Sequence, residues 1–267
     1  MRPALLDEVS EVMRAVAHEV IVPRFRSLEA HEIEEKAPGE LVTVADREAE
    51  QLLSEALLEL LPGSRVVGEE QAAKQPRLLD GLDSGDVWLI DPLDGTHNFV
   101  EGRPCFSVMI ALLRAGEAVA AWMLDPITDS MAHAERGAGA YVEGVRLESV
   151  SSSPGAALLR GSVLKKYMPE DLRQQVELRI PRIGAALEGM RCAGAEYPAV
   201  ARGDHDFAVF WRTLPWDHAP GALFLSEAGG VAARLDGTPY TVSDSRIGLL
   251  VARNPAIWRE TQRALFD

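Results

Sequence analysis

Residues 87–98 read "VWLIDPLDGTHN" and combine a strand pattern with an acidic turn. Its first four residues are apolar and predict a buried strand, and two carboxylates, Asp91 and Asp94, follow directly. The proline and the glycine in the loop let the two carboxylates converge, as a site for a hard cation such as Mg²⁺ requires. The same letters also suit an acidic turn in which Asp94 caps the next segment. The stretch therefore leaves two interpretations open.

The composition is that of an acidic globular protein. Lys and Arg number 27 against 41 Asp and Glu, a formal net charge of -14, so broad binding to nucleic acid or to an anionic membrane is not expected. Cys105 and Cys192 are too few for a disulfide framework and favour a reducing cytoplasm. No run approaches 18 apolar residues, and acidic residues near the N-terminus argue against a signal peptide.

Periodicity and turn residues predict two halves of different texture. The predicted helices are 4–27, 46–61, 169–178, 195–202, 217–228 and 255–266. The predicted strands are 65–67, 87–90, 107–114, 117–125, 131–135, 157–163, 206–210, 231–235 and 247–252, with a hairpin over 136–147. Residues 31–40 are a polar segment, 71–86 a loop or frayed helix, and 151–156 a linker. This order predicts an α+β half, residues 1–150, joined to an α/β half, residues 151–267.

Three further acidic positions lie where strands end or helices begin. Glu69 follows a short strand in "GEE", residues 68–70, and one glutamate of that pair can point toward the crevice at the strand end. Asp217 and Asp46 each stand at the predicted start of a helix, where a carboxylate is a natural N-cap. Taken singly, each of the three suits a cap or a charged surface loop as well as a metal site.

Together these motifs resemble the inositol monophosphatase family, part of a lithium-sensitive, metal-dependent phosphatase superfamily that includes fructose-1,6-bisphosphatases. The segments that carry the resemblance are "GEE" (68–70), "WLIDPLDGTHNFV" (88–100) and "WDHAPGALFLSEAGG" (216–230), with looser matches at "TVAD" (43–46) and "RGAGAYVEGVRL" (136–147). The resemblance spans nearly the whole chain. It implies a layered αβαβα sandwich, an active site between the two halves, and a homodimer.

The resemblance also implies a role for each position. The ligands of two or three Mg²⁺ ions would be Glu69, Asp91, the Leu93 carbonyl, Asp94 and Asp217. The attacking water would be oriented and activated by Glu69 and by the pair Asp46 and Thr96. Phosphate and substrate contacts would come from Asp94, Gly95, Thr96, Gly194 and Ala195. Glu196 and Arg212, where the chain departs from the family, are further candidate substrate contacts.

The chain departs from the family pattern on the substrate side. Phe210 stands where inositol-binding members carry a glutamate that accepts bonds from substrate hydroxyls, and a phenyl ring accepts none. Glu196 replaces a small residue and is either a new substrate contact or a residue on the helix surface. Arg212 could reach a second anionic group or be structural. His97 and His218 occupy variable motif positions and are not expected to be ligands.

The predicted function is Mg²⁺-dependent hydrolysis of a small polyol, sugar or amino-alcohol phosphate by an activated water. The alternatives within the superfamily are histidinol phosphate, fructose bisphosphate or a 3′-phosphorylated nucleotide as substrate. A bisphosphate would need extra cations near the site. An alternative of another class is a regulatory protein that binds transcription or ribosome-assembly machinery. The expected partner is a small phosphorylated metabolite in the cytoplasm.

Overall fold

The computed structural model describes residues 4–148 and 159–267. The helices are α1 (Leu5–Val16), α2 (Val44–Leu60), α3 (Glu69–Lys74), α4 (Thr96–Val100), α5 (Glu170–Arg179), α6 (Ala193–Arg202), α7 (Pro215–Glu227) and α8 (Pro255–Phe266). The strands of the first half are β1 (Ile33–Ala37), β2 (Glu40–Thr43), β3 (Arg65–Gly68), β4 (Asp86–Asp94), β5 (Ser107–Arg114), β6 (Glu117–Asp125), β7 (Ser130–Glu135), β8 (Gly139–Val142) and β9 (Val145–Leu147). Those of the second half are β10 (Leu159–Leu164), β11 (Gly184–Leu187), β12 (Phe207–Phe210), β13 (Val231–Arg234) and β14 (Leu249–Ala252).

The described strands form three sheets. The large sheet has the order β3-β4-β5-β6-β7-β8-β9, in which β3 and β4 are parallel and the other neighbours are antiparallel. The small sheet has the order β11-β10-β12-β14-β13, and β10 runs parallel to both of its neighbours. β1 and β2 pair as a separate antiparallel hairpin.

Alternation along β4 shows how the large sheet is covered on both faces. Trp88 and Ile90 belong to the apolar cluster that also contains the buried faces of α1 and α2. Leu89, which points the other way, belongs to a second cluster with buried residues of α6 and α7. All three side chains are fully buried, so neither face of this strand meets water.

Helices α6 and α7 lie between the two sheets, because their cluster also contains Ala208 and Val251 from the small sheet. The outer face of the small sheet carries α5 and α8, through Val176 and Ile257. The layers are therefore helices, large sheet, helices, small sheet and helices. This is the αβαβα sandwich that the resemblance implied.

The structure differs from the predicted elements in several places. The helix predicted over 4–27 is α-helical only to Val16 and continues as a π-type turn over 17–21 and a 3-10 turn over 22–24. The polar segment 31–40 contributes to the hairpin β1–β2, and the strand predicted over 87–90 runs on to Asp94. The hairpin predicted over 136–147 is confirmed, with Glu143 and Gly144 between β8 and β9. The predicted linker 151–156, the start of the strand predicted from 157 and the proposed boundary at residue 150 lie outside the described residues.

Among residues 4–148 and 159–267, no helix has the length and apolar character needed to cross a membrane.

Candidate metal centre

Strand β4 brings Asp91 and Asp94 to the edge of the large sheet. The ladder to β5 is regular up to Asp91, which lies opposite Met109, and becomes irregular before Asp94, which lies opposite Ser107. This irregularity breaks the simple alternation of side chains, so both carboxylates can serve one site. Gly95 then turns the chain with a φ of +88°, and a Cβ there would lie 3.0 Å from the carbonyl oxygen of Cys105. Only glycine fits this turn, which leads directly into α4.

Glu69 and Asp217 reach Asp91 from two other elements. Strand β3 pairs in parallel with β4, Gly68 opposite Ile90, so Glu69 at the start of α3 emerges beside Asp91. Asp217 lies in the first turn of α7, whose N-cap is Leu214 rather than Asp217 as the sequence suggested. One carboxylate oxygen from each of Glu69, Asp91 and Asp217 lies within 4.8 Å of the other two. The structure thus brings together three of the predicted ligands.

The electrostatics of this cluster favour a cation. Burial, and then the charge of Glu69, raise the pKa of Asp91 and of Asp217 well above the ordinary value. Burial also raises the pKa of Asp94 to about 6. Buried carboxylates this close repel one another, and a divalent cation reverses the sign of the local field. An all-oxygen donor set of carboxylates and a carbonyl suits Mg²⁺ rather than a soft metal, so the residues present fit the group that the sequence predicted.

Asp46 and Thr96 meet beside the loop after β4. The Thr96 hydroxyl lies 3.2 Å from Oδ1 of Asp46 and 3.0 Å from the carbonyl oxygen of Leu93. Asp46 is fixed in turn by Thr43, which caps α2 and whose amide and hydroxyl both donate to Oδ2 at 2.8 and 2.6 Å. Burial raises the pKa of Asp46 to about 7. The pair is therefore rigid, and its polar atoms adjoin the predicted Leu93 ligand.

Two charged residues near the centre, Lys36 and Glu50, were not predicted. The ammonium nitrogen of Lys36, on β1, lies 2.6 Å from a carboxylate oxygen of Glu69 and 2.6 Å from one of Glu70. Burial lowers the pKa of Lys36, but these two carboxylates outweigh it and raise the pKa above its ordinary value. Glu50 on α2 is buried and accepts from the amides of Glu70 and Gln71, and burial raises its pKa to about 7. The sequence has a turn signal, Pro38-Gly39, directly before β2. That signal alone did not predict which part of the molecule the hairpin, and Lys36 with it, would pack against.

Three predicted substrate contacts on α6 have other partners. The Gly194 amide donates to Oδ2 of Asp94 at 2.7 Å and so holds that carboxylate in place. The Ala195 amide lies 3.2 Å from the carbonyl oxygen of Cys192. Glu196 has no exposed surface; its oxygens accept from the Met190 amide and pair with Nδ1 of His205, each at 2.8 Å. Glu196 is thus neither the substrate contact nor the helix-surface residue that the sequence suggested, because a buried charge needs these internal partners.

His218 and His97 both contact protein groups beside the site. His218 is buried between Tyr197 and the carbonyl oxygen of Arg212, each 3.1 Å from a ring nitrogen, and burial lowers its pKa to about 3. Phe210 stacks on Tyr197 with centroids 5.6 Å apart and is buried. The ring of His97 contacts the Gly39 carbonyl at 2.8 Å. Among the described residues neither histidine joins the carboxylate cluster.

Comparisons with known proteins agree with this geometry. A model of the "Inositol monophosphatase family" matches residues 5–265. The chain is 36% identical over 240 residues to an inositol-1-monophosphatase of Mesorhizobium japonicum, covering 86% of this chain and 84% of that one. It is 34% identical over 231 residues to a Nus factor SuhB of Pseudomonas aeruginosa, covering 83% and 82%. Its fold matches the IMPase structure from Thermotoga maritima with a TM-score of 0.82 at 25% identity, covering 97% and 96%. The chain belongs to the inositol monophosphatase family and is a metal-dependent phosphoric monoester hydrolase.

Proposed function

We propose that the enzyme uses two or three Mg²⁺ ions to hydrolyse the phosphate monoester of a small polyol, sugar or amino alcohol. The observation that carries this proposal is the meeting of Glu69, Asp91 and Asp217 within 4.8 Å, beside Asp94. Oxygen ligands in such number around one crevice suit ions that also bind phosphate oxygens. The side chains of these four residues and the carbonyl of Leu93 would hold the ions.

The bound ions would supply Lewis acidity and a water that is nucleophilic at neutral pH. The chain's own residues do the rest. Thr96 donates its hydroxyl proton toward Asp46, 3.2 Å away, which leaves a lone pair of the hydroxyl to accept from the attacking water. Glu69, which lies beside Asp91 and Asp217, would orient the same water. The amides of Gly95 and Thr96 would donate to the phosphate at the glycine turn, whose φ of +88° favours glycine.

A substrate panel tests the proposal directly. Phosphate release is measured from inositol 1-phosphate, glucose 1-phosphate, histidinol phosphate, fructose 1,6-bisphosphate and adenosine 3′,5′-bisphosphate, with Mg²⁺, with EDTA and with added Li⁺. We expect turnover that EDTA abolishes, Mg²⁺ restores and Li⁺ inhibits. Turnover that ignores chelation would overturn the mechanism. Hydrolysis of histidinol phosphate, fructose 1,6-bisphosphate or the nucleotide alone would select the corresponding alternative substrate.

A second candidate function is regulatory binding, which the relative named Nus factor SuhB keeps open. The carboxylate cluster favours catalysis, because a binding role alone would not require it. Capture of RNA polymerase subunits by the tagged protein, with no turnover of any ester in the panel, would favour the regulatory role. We also propose a homodimer, for which sedimentation should give twice the mass of 29.1 kDa.

A further inference from the structure

Two cations share one aromatic ring beside the metal centre. The guanidinium carbon of Arg212 lies 4.3 Å from the centroid of the Tyr167 ring, and the ammonium nitrogen of Lys166 lies 5.1 Å from the same centroid. Strands β10 and β12 are parallel neighbours, with Leu164 opposite Phe210, so the residues that follow them meet at one edge of the small sheet. Lys166, Tyr167 and Arg212 together are called the cation shelf below.

The cation shelf adjoins the carboxylate cluster. Arg212 lies five residues before Asp217 in the sequence. Its carbonyl oxygen accepts a hydrogen bond from the ring of His218. Burial lowers the pKa of Arg212, and the largest opposing influence, which raises it, is the charge of Asp217. The guanidinium is therefore within electrostatic reach of a predicted metal ligand. In a chain with a net charge of -14, this is a local reversal of sign.

The shelf already holds an anion of the protein's own. Arg212 pairs with the carboxylate of Glu40, and Lys166 donates to the carbonyl oxygen of Gly39 at 2.6 Å. Both acceptors lie at the turn of the hairpin β1–β2. The side chains of Arg212 and Glu40 keep 33% and 27% of their surface exposed, so the pair competes with water and is weakly held. The Glu40 carboxylate stands in for the anion that the shelf would accept from outside.

The neighbouring side chain of Phe210 cannot accept hydrogen bonds from substrate hydroxyl groups. It is buried, and its ring is engaged with Tyr197 and His218. The groups next to the centre on this side are therefore cations and a buried ring that accepts no hydrogen bond. Arginine binds a phosphate or a carboxylate through two parallel N–H bonds. A substrate anion that makes both bonds and is also held by metal ions would bind Arg212 more strongly than the partly exposed Glu40 does.

We propose that the cation shelf binds a second anionic group of the substrate, so that esters carrying a further phosphate or a carboxylate are preferred over neutral polyol phosphates. The inference rests on the proposed phosphatase function and narrows its substrate class. The second anion displaces Glu40 from Arg212 and frees the turn of the hairpin.

Matched substrate pairs test the preference. Glycerol 2-phosphate is compared with 2-phosphoglycerate, which adds a carboxylate, and glucose 1-phosphate with glucose 1,6-bisphosphate, which adds a phosphate. We expect kcat/KM to be higher for the second member of at least one pair, and the pair that responds identifies the anion. Arg212→Gln should lower that preference about tenfold or more, and Arg212→Lys less, because lysine keeps the charge but loses the fork.

Two further variants separate recognition from a structural role. Glu40→Gln removes the competing carboxylate and should lower KM for the anionic member of the pair. If Glu40→Gln instead lowers kcat/KM equally for every substrate, the pair only positions the hairpin and the proposal is wrong. Arg173→Gln, on the exposed surface of α5, removes the same charge away from the site and should leave the preference unchanged. A similar loss in that variant would mean that overall charge, not the shelf, sets the preference.

Hydrolysis of the neutral esters separates the phosphatase function from anion binding by the cation shelf. If neither the matched pairs nor any ester of the substrate panel is hydrolysed in Mg²⁺, the proposed function fails. If both neutral esters are hydrolysed as efficiently as their anionic counterparts, the phosphatase function stands and the cation shelf is not a substrate site.

Discussion

Asp91 lies where the charges of the site converge. It is 2% exposed, and the carboxylates of Glu69, Asp94 and Asp217 all act to raise its pKa. Asp91→Asn keeps the shape but removes the charge that would hold a metal ion. Replacing a residue that only hydrogen-bonds to a metal ligand typically lowers metal affinity or activity about 10–100-fold. Because Asp91 would be a ligand itself, we expect this change to lower kcat/KM by at least ~100-fold. Phosphate release in saturating Mg²⁺ measures it.

A matched control lies at the other end of the same strand. Asp86 begins β4 and pairs with Arg114 on the surface at 2.9 Å, so Asp86→Asn makes the same chemical change outside the site. We expect its kcat/KM to stay within a factor of about two, since surface pairs contribute little. Full activity in Asp91→Asn would mean that this carboxylate is not a ligand.

The buried pair of Glu196 and His205 supports α6 internally. Replacing Glu196 by Ala leaves a buried imidazole and the Met190 amide without their acceptor, and we expect the free energy of unfolding to fall by about 3 kcal/mol. The hydrogen bond to Glu196 raises the pKa of His205 above 6.5. The bond to the charged ring therefore stabilises fully below pH 6.5 and is lost as pH rises through the raised pKa, so the difference between the two proteins should shrink in alkaline buffer.

Urea unfolding at several pH values measures this difference. Glu177→Ala is the control, because Glu177 pairs with Lys165 on the exposed surface and its loss should change the free energy of unfolding far less than the loss of Glu196. Equal effects of the two substitutions, or a difference that grows with pH, would contradict the assignment of Glu196 to a buried ion pair.

The predictability of individual residues depends on how far apart their partners lie. Asp91 and Asp94 were predictable because one strand and one turn carry both. Lys36 was not, since its contacts with Glu69 and Glu70 join residues more than 30 positions apart. The role of Glu196 was missed although its partners lie close in sequence, because a carboxylate among small residues gives no sign of the His205 ring that satisfies it.

At the scale of elements, the hairpin β1–β2 shows where sequence patterns were insufficient. Its letters, "IEEKAPGELVT", lack a strong apolar alternation, and it pairs with no other strand in the described part of the chain. Its turn is held by tertiary contacts instead: the Gly39 carbonyl receives His97 and Lys166, and Glu40 receives Arg212. Strands β5 and β6, which have clear turns on both sides, were predicted with the bounds that the structure has.

Helices α6 and α7 approach each other closely at Gly221. A Cβ built there would lie 2.0 Å from Cδ2 of Tyr197, a fully buried ring with no room to move. Gly221→Ala therefore forces the two helices apart, although alanine favours a helix. We expect the free energy of unfolding to fall by about 2–3 kcal/mol, as overpacking of cores does, and the displacement of Asp217 on α7 to weaken Mg²⁺ binding.

Ala222→Ser provides the control on the same helix. It also adds one heavy atom, but at a partly exposed position, and should change stability by no more than about 0.5 kcal/mol. If Gly221→Ala is as stable as the wild type in thermal unfolding, the close approach of α6 and α7 is not a constraint.

At the scale of the whole molecule, the site depends on the order of the layers. The large sheet supplies Asp91 and Asp94, and α7, between the sheets, supplies Asp217. The order of helices and strands predicted two halves, and the family resemblance implied a site between them. It could not predict that α6 and α7 pack against both sheets at once, because their apolar residues surround the helix instead of forming one stripe.

The stability of the whole molecule should depend on Mg²⁺ and pH together. Burial holds the pKa of Asp94 at about 6 and that of Asp46 at about 7, against an ordinary value of 3.8. Between about pH 4 and pH 7 the metal-free folded chain therefore binds more protons than the unfolded chain, and its stability falls as pH rises through this window. A divalent cation offsets the repulsion between these carboxylates only at pH values where they are ionised.

We therefore expect Mg²⁺ to raise the melting temperature more at about pH 8 than at about pH 5. At a hundred times its dissociation constant the ion contributes about 2.7 kcal/mol, or roughly 5–10 °C for a chain of this size. Scanning calorimetry in EDTA and in Mg²⁺ measures the shift, with Asp91→Asn as the variant that should lose it and Asp86→Asn as the one that should keep it. An equal shift at both pH values would mean that Mg²⁺ binds elsewhere, since only the buried carboxylates link its affinity to protons in this range.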